Sequence, residues 1–142
     1  MAANREGYRG YVTSRGFGGA KIPVPLQSLA LRDYCQRHKL MYKLHFNENI
    51  FPHSYMVLEG MVRNLEGCKG IVMCSIFMLP KRPARRAEIY AAVLRQDAEI
   101  RFVQEDLILA KPEHVEPIED VLAIYNTLPH CPHAIPLGPA GA

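Results

Sequence analysis

Tyr55 and Glu59 are the residues of this sequence best suited to proton transfer. They are four positions apart in a predicted helix, so both side chains lie on one face of it. Glu59 is next to the apolar stripe of that helix, and apolar surroundings favour the protonated form of a carboxylate. Such a group can act as a general acid or base. A half-exposed surface glutamate is the alternative.

A glycine-rich loop after the first predicted strand offers a site for an anion. It contains Ser14, Arg15, Phe17, Gly18 and Gly19. Glycines let a ligand approach the backbone, and arginine can hold a phosphate or carboxylate through two hydrogen bonds. The spacing matches neither the dinucleotide-binding pattern nor the P-loop pattern, which disfavours both kinds of site. A plain loop is the alternative.

Four cations stand at the start of the third predicted helix, namely Lys81, Arg82, Arg85 and Arg86. Positive charge is unfavourable there, because the helix dipole prefers acids at its N-terminal end. The cluster therefore suggests a compensating anion, either a bound phosphate or an acidic partner surface. A solvated basic turn is the alternative.

Further polar residues lie where predicted strands end or adjoining helices begin. Asn47 and Glu48 follow the second strand, Ser75 follows the third, and Gln27 lies in the first helix. We predict that they contact the substrate together with the glycine-rich loop, Lys81 and Arg82. Glu105, after the fourth strand, joins Glu59 and Tyr55 as a candidate catalytic residue.

Metal binding is not indicated by the cysteine and histidine pattern. His130, Cys131 and His133 have the side chains of metal ligands but lack the spacing of a zinc module. Glu105 and Asp106 could bind a metal or sugar hydroxyls, although a pair of exposed acids fits equally well. We predict no metal and no cofactor.

The elements that must position these residues alternate between strand and helix. Strands are predicted at residues 8–14, 40–46, 70–78 and 100–103, the last resuming at 107–109, and helices at 26–39, 54–65, 82–95 and 112–127. The alternation predicts an α/β fold, a three-layer sandwich whose parallel sheet of four to five strands has helices on both faces. Ligands of such sheets bind at the carboxyl ends of the strands.

Composition supports one domain at residues 8–128, with flexible segments at 1–7 and 129–142. The 142 residues are 49% hydrophobic, which excludes disorder of the whole chain. No apolar run reaches the ~18 residues of a membrane span, and no signal peptide is evident, so we expect a cytoplasmic protein without membrane contact. The four cysteines lack paired spacing and are expected to be buried thiols, and the net charge of +3 disfavours nucleic acid as a partner.

The order of the elements resembles the catalytic domain of serine recombinases. The matching segments are residues 10–12, 70–73 and 100–106. In that family an arginine and the nucleophilic serine lie on the first strand, and an Asp–Arg pair follows the third. Here Ser14 is displaced by about one residue from the position of that serine, and the loop after the third strand lacks the Asp–Arg pair. The resemblance implies a flavodoxin- or resolvase-like fold without recombinase activity.

The chain is also similar to a small single-domain family, the sporadic carbohydrate cluster proteins, whose genes lie among bacterial surface-polysaccharide genes. This resemblance implies a role in carbohydrate biosynthesis without a defined reaction. Several of the matching residues lie at strand ends rather than in the core, which favours a small-molecule site. The resemblance is carried by Gly10, Tyr11, Ser14, Arg15, residues 17–19, Ile22, Pro23, Gln27, residues 32–34, 55–60 and 70–72, Ser75, Leu79, Pro80 and Glu105.

Together these observations predict a small biosynthetic enzyme that acts by acid/base chemistry, as an isomerase, lyase or glycosidase. Its substrate would be a sugar, sugar phosphate or nucleotide-sugar, whose anionic part Arg15 and the basic turn would hold. Glu59 would transfer the proton, assisted by Tyr55 or Glu105. The alternative is a non-catalytic binding or scaffold subunit of another carbohydrate-biosynthetic enzyme, with Met56 as a contact. By analogy with flavodoxin-like domains we expect a homodimer.

Overall fold

Strands and helices alternate in the computed structural model, which describes residues 6–19, 21–48, 54–65 and 67–127. The strands are β1 (Tyr8–Thr13), β2 (Tyr42–Glu48), β3 (Gly70–Met73), β4 (Glu99–Phe102) and β5 (Leu107–Leu109). The helices are α1 (Val24–Arg37), α2 (Met56–Arg63), α3 (Pro83–Arg95) and α4 (Val115–Thr127), with short 3-10 turns at Ile76–Met78 and Pro112–His114. The predicted α/β fold is confirmed.

The strands form one sheet in the order β2-β1-β3-β4-β5. β2, β1, β3 and β4 run parallel, whereas β5 is antiparallel to β4. The few residues between β4 and β5 cannot hold a crossover helix, so the chain must turn straight back. Asp106 lies in this turn with a positive φ of 56°.

The helices cover the two faces of the sheet. α1 leads from β1 outward to β2, and α2 leads from β2 back across β1 to β3. Right-handed crossovers therefore place α1 on one face and α2 on the other, where α2 packs against α3. β1 and β3 are thus neighbours whose connections leave in opposite directions, which opens a crevice at their carboxyl ends.

The apolar run at residues 70–78 contains more than the single strand that we predicted. β3 ends at Met73, and a 3-10 turn covers Ile76–Met78. The Ser75 hydroxyl accepts a hydrogen bond from the Phe77 amide, and such local bonds compete with strand pairing. Nearly the whole run is buried nonetheless, because the turn packs into the same core as the strand.

Cys35, Cys68 and Cys74 are buried free thiols, as predicted. Residues 1–5 and 128–142, which include Cys131, His130 and His133, lie outside the described residues. Within the described part of the chain, no helix combines the length and apolar character of a membrane span.

Candidate functional site

A cleft of about 680 Å³ lies in the crevice at the carboxyl ends of β1 and β3. This volume is within the range of ~300–1,000 Å³ that is typical of small-molecule sites. The glycine-rich loop after β1 forms one wall, and residues 77–81 after β3 contribute to the other. Other parts of the lining are Tyr55, just before α2, Arg86 of α3, and Leu122 and Tyr125 of α4.

Six of the predicted site residues line this cleft. They are Arg15, Phe17, Gly18, Gly19, Tyr55 and Lys81. Lys21, Phe77 and Tyr125 also line the cleft but were not predicted as site residues. Lys21 could have been found as a cation directly beyond the glycines. Tyr125 had no such signal, because α4 meets the glycine-rich loop only in the folded chain.

The cleft carries positive charge. Arg15, Lys21, Lys81 and Arg86 line it, and no aspartate or glutamate does so among the described residues. Lys21 and Lys81 are exposed and form no ion pair with any described residue. Cations that line a cleft attract anions, since the low-dielectric walls focus the field.

Arg15 is held against the wall of the cleft. Its Nη1 donates a hydrogen bond to the Ser54 carbonyl at 2.6 Å, and its Nη2 donates to the Tyr11 hydroxyl at 3.4 Å. The guanidinium carbon lies 4.3 Å from the centre of the Tyr55 ring. Because a guanidinium has five N–H donors, these contacts leave some for a ligand.

Glu48 caps α2 from the end of β2. Its buried carboxylate accepts hydrogen bonds from the amides of Val57 and Leu58, at 3.1 and 3.2 Å, and from the Tyr11 hydroxyl at 2.8 Å. Burial, together with the hydrogen bond and charge of Glu48, raises the pKa of Tyr11. The oxygens of Glu48 are therefore directed at the helix, and Glu48 does not line the cleft.

Gln27 fastens α1 to the end of β1. Its amide nitrogen donates to the carbonyls of Thr13 and Ile22, at 2.7 and 2.8 Å, and its oxygen accepts from the Thr13 amide at 3.1 Å. The side chain is fully buried. Gln27 thus positions both ends of the glycine-rich segment instead of lining the cleft.

Ser75 and Glu105 form a pair beside the cleft. The Ser75 hydroxyl donates to Glu105 at 2.6 Å, and the Ile76 amide donates to the same carboxylate at 3.0 Å. Burial and the charge of Glu105 raise the pKa of the neighbouring Cys74 thiol to about 11. The pair fixes the turn after β3, and neither residue lines the cleft.

Glu59 forms an ion pair between α2 and α3. Its Oε2 accepts hydrogen bonds from Arg85 Nη2 at 2.7 Å and Nε at 3.1 Å. It lines a separate groove with Val62 and Glu88. The structure therefore brings neither Glu59 nor Glu105 into the main cleft with Tyr55.

Arg86 is the most deeply buried cation of the basic turn. Nε and Nη2 donate to Glu119 of α4 at 2.8 and 2.7 Å, and Nη1 donates to the carbonyls of Pro80 and Lys81 at 3.1 and 2.8 Å. The hydrogen bond with Glu119 is the main cause that raises the pKa of Arg86. Glu119 and Glu59 thus supply the anions for Arg86 and Arg85, and Arg86 fixes the loop that carries Lys81.

Ser14, Asn47 and Arg82 do not line the cleft. The Ser14 amide donates to the Glu48 carbonyl at 3.4 Å, which extends the pairing of β1 with β2. Asn47 and Arg82 are exposed. Over the described ranges, no group of three or more His, Cys, Asp or Glu side chains could hold a metal ion.

Comparison with known proteins adds evidence about the fold. No family model matches the chain, and no curated protein matches it either. Among solved structures, the N-terminal catalytic domain of TP901-1 integrase superposes with a TM-score of 0.56, over 86% of this chain and 96% of that one, at 10% identity. The chain has a resolvase-like fold. At this identity the likeness shows the fold alone.

Proposed function

We propose that the protein is a small biosynthetic enzyme that binds an anionic, sugar-containing small molecule in the cleft between the β1 and β3 loops. One observation carries this proposal. Arg15, Lys21 and Lys81 line a cleft of about 680 Å³ without a carboxylate among its described lining. Arginine and lysine together suit a phosphate, because one offers paired donors and the other a compact charge.

A sugar is supported as the remainder of the ligand by two observations. The cleft combines cations with the aromatic rings of Tyr55, Phe77 and Tyr125, and small-molecule sites commonly pair aromatic walls with a few polar groups. The resemblance to the sporadic carbohydrate cluster proteins also points to carbohydrate biosynthesis. The substrate class we propose is therefore a phosphorylated sugar.

Tyr55 is the candidate proton donor or acceptor that the geometry favours. It is the only one of the three predicted catalytic residues that lines the cleft. A phenol can serve in acid/base catalysis when it is held against the substrate. A typical glycosidase needs two carboxylates beside the scissile bond, so an isomerase or lyase fits this cleft better.

Turnover of a panel of sugar phosphates and nucleotide-sugars tests this proposal. Tyr55→Phe should lower turnover by at least ~100-fold, the usual contribution of acid/base catalysis, and leave ligand affinity almost unchanged. Glu59→Gln, outside the cleft, is the matched control and should retain turnover. Unchanged turnover in Tyr55→Phe would overturn the role of Tyr55. Loss of turnover in Glu59→Gln alone would instead indicate that Glu59 is the catalytic residue.

A second candidate function is a non-catalytic subunit of another carbohydrate-biosynthetic enzyme. Its support is the exposure of apolar side chains on β2 and α2, where Leu44 and Met56 are each 75% exposed and Phe46 is 42% exposed. Met56→Asp should then abolish co-purification with that enzyme from the native host. A homodimer also stays a prediction, which the sedimentation velocity of the full chain would test.

A further inference from the structure

We infer that the ligand of the cleft carries a nucleoside diphosphate, and that its base stacks on Tyr125. This inference rests on the proposed function, because it names the ligand class of the same site. It depends on the exposed ring of Tyr125, which lines the cleft together with Arg15, Lys21 and Lys81.

Tyr125 lies near the end of α4 and is packed against Phe77. The ring centres are 4.4 Å apart and the ring planes are tilted by 49°. Both residues line the cleft, and 37% of Tyr125 stays exposed. A partly exposed ring that is supported by a second ring offers a rigid, flat surface on which a base can stack.

The glycine-rich loop runs directly against this aromatic pair. A Cβ atom placed on Gly18 would lie 3.3 Å from the Phe77 ring, and one on Gly19 would lie 3.2 Å from the Tyr125 hydroxyl oxygen. Both glycines have positive φ, 59° and 79°, which other residues rarely adopt. The loop that carries Arg15 is thereby held next to the Tyr125 ring.

A flat apolar surface next to several cations fits a ligand that contains both an aromatic base and an anionic group. Proteins that bind single-stranded nucleic acids hold their bases by stacking them on aromatic side chains in this way. A sugar monophosphate has an anionic group but no π system to stack on this surface.

The distribution of the cations favours a diphosphate over a single phosphate. Arg15 and Lys21 flank the glycines in the β1 loop, whereas Lys81 comes from the β3 loop. A diphosphate presents two anionic groups to the cations of the two loops, whereas a single phosphate presents one. The backbone of the glycine-rich loop is also accessible to the phosphates, since no side chain at Gly18 or Gly19 blocks it.

Calorimetric titration of the full chain with uridine diphosphate, adenosine diphosphate and pyrophosphate tests the inference. We expect at least one nucleotide to bind about tenfold more tightly than pyrophosphate. Tyr125→Ala should remove this advantage and leave the affinity for pyrophosphate unchanged. Tyr125→Phe keeps the ring, and Val121→Ala removes an equally exposed side chain of the same helix, so both should behave like the wild type.

The other outcomes separate this inference from the proposed function. If pyrophosphate binds as tightly as both nucleotides, the stacking role is wrong while the anion site stands. If Tyr125→Ala weakens pyrophosphate and nucleotide equally, Tyr125 only supports the loop, and the inference is also wrong. If none of the three compounds binds and sugar phosphates do not bind either, the anion site itself fails.

Discussion

The guanidinium of Arg15 lies 4.3 Å from the centre of the Tyr55 ring, so the proposed anion contact and the candidate proton donor of the cleft touch each other. Arg15 follows β1 and Tyr55 precedes α2, which means that two separate connections meet at this point. A second cation, Arg85 of α3, lies 5.3 Å from the same ring. The position of Tyr55 is therefore determined by packing before any ligand binds.

Lys81 is predicted to bind the anion without supporting the fold. Lys81→Ala should weaken pyrophosphate binding by about 10- to 100-fold, since a hydrogen bond to a charged group contributes about 1.5–3 kcal/mol. Lys69→Ala, which removes an exposed lysine just before β3, at the amino ends of the parallel strands, is the matched control. Calorimetry and thermal melting measure the two effects. Equal affinities for the two variants would contradict the assignment.

Glu48 is predicted to stabilise the fold and not to bind substrate. Glu48→Gln weakens the cap of α2 and the bond from Tyr11, so the free energy of unfolding should fall by about 1–3 kcal/mol. Urea unfolding measures this, with the exposed Glu88→Gln as the control. If Glu48→Gln kept the stability of the wild type but lost ligand binding, Glu48 would instead be a substrate-binding residue.

Glu119 should make stability depend on acid pH. Its hydrogen bond with Arg86 lowers the pKa of Glu119 below its ordinary 4.5, so the stabilisation is present above that pH and is lost as the pH falls through the folded-state value. Glu119→Gln should cost about 2 kcal/mol at neutral pH and progressively less below about pH 4.5. Urea unfolding at several pH values measures this, with Glu116→Gln as the control. If the difference in the free energy of unfolding between the wild type and Glu119→Gln stayed constant with pH, the prediction would be wrong.

Tyr8 should make stability depend on alkaline pH. Burial, and then the hydrogen bond to Glu99, raise its pKa from 10.0 to about 12. The folded chain therefore retains this proton longer than the unfolded chain, and the stabilisation is present below pH 10.0 and is lost as the pH rises to about 12. Relative to Tyr8→Phe, the wild type should lose stability across this interval. Parallel curves for the two proteins would refute the prediction.

Much of the fold follows from local patterns. The apolar stripes and the strand–helix alternation predict the order of the elements, and β1 and α3 start at or within one residue of the predicted positions. Residues 107–109 were predicted as a resumption of the fourth strand, whereas the chain turns back after Phe102 and β5 pairs antiparallel to β4. The end of β3 was also missed, since Ser75 interrupts an apolar run whose residues are buried on both sides of it.

The candidate site could be predicted only in part. Arg15 and its glycines are recognisable because strand-end loops of α/β sheets meet ligands. Glu48 and Gln27 have the same residue types and similar positions, yet they bond to α2 and β1 because packing brings backbone groups to them. No local pattern separates these two roles. Tyr125 could not be assigned to the cleft either, because it comes from the last helix.

The most direct test of the central claim is an NMR titration of the backbone amides with pyrophosphate and with glucose 1-phosphate. We expect the largest shifts in Gly16, Gly18, Gly19 and Lys81, which line the cleft. We expect little change in Lys69 or Gln96, which lie at the amino ends of the parallel strands. Shifts that are absent, or that cluster at the amino ends of the strands, would contradict an anion site between the β1 and β3 loops.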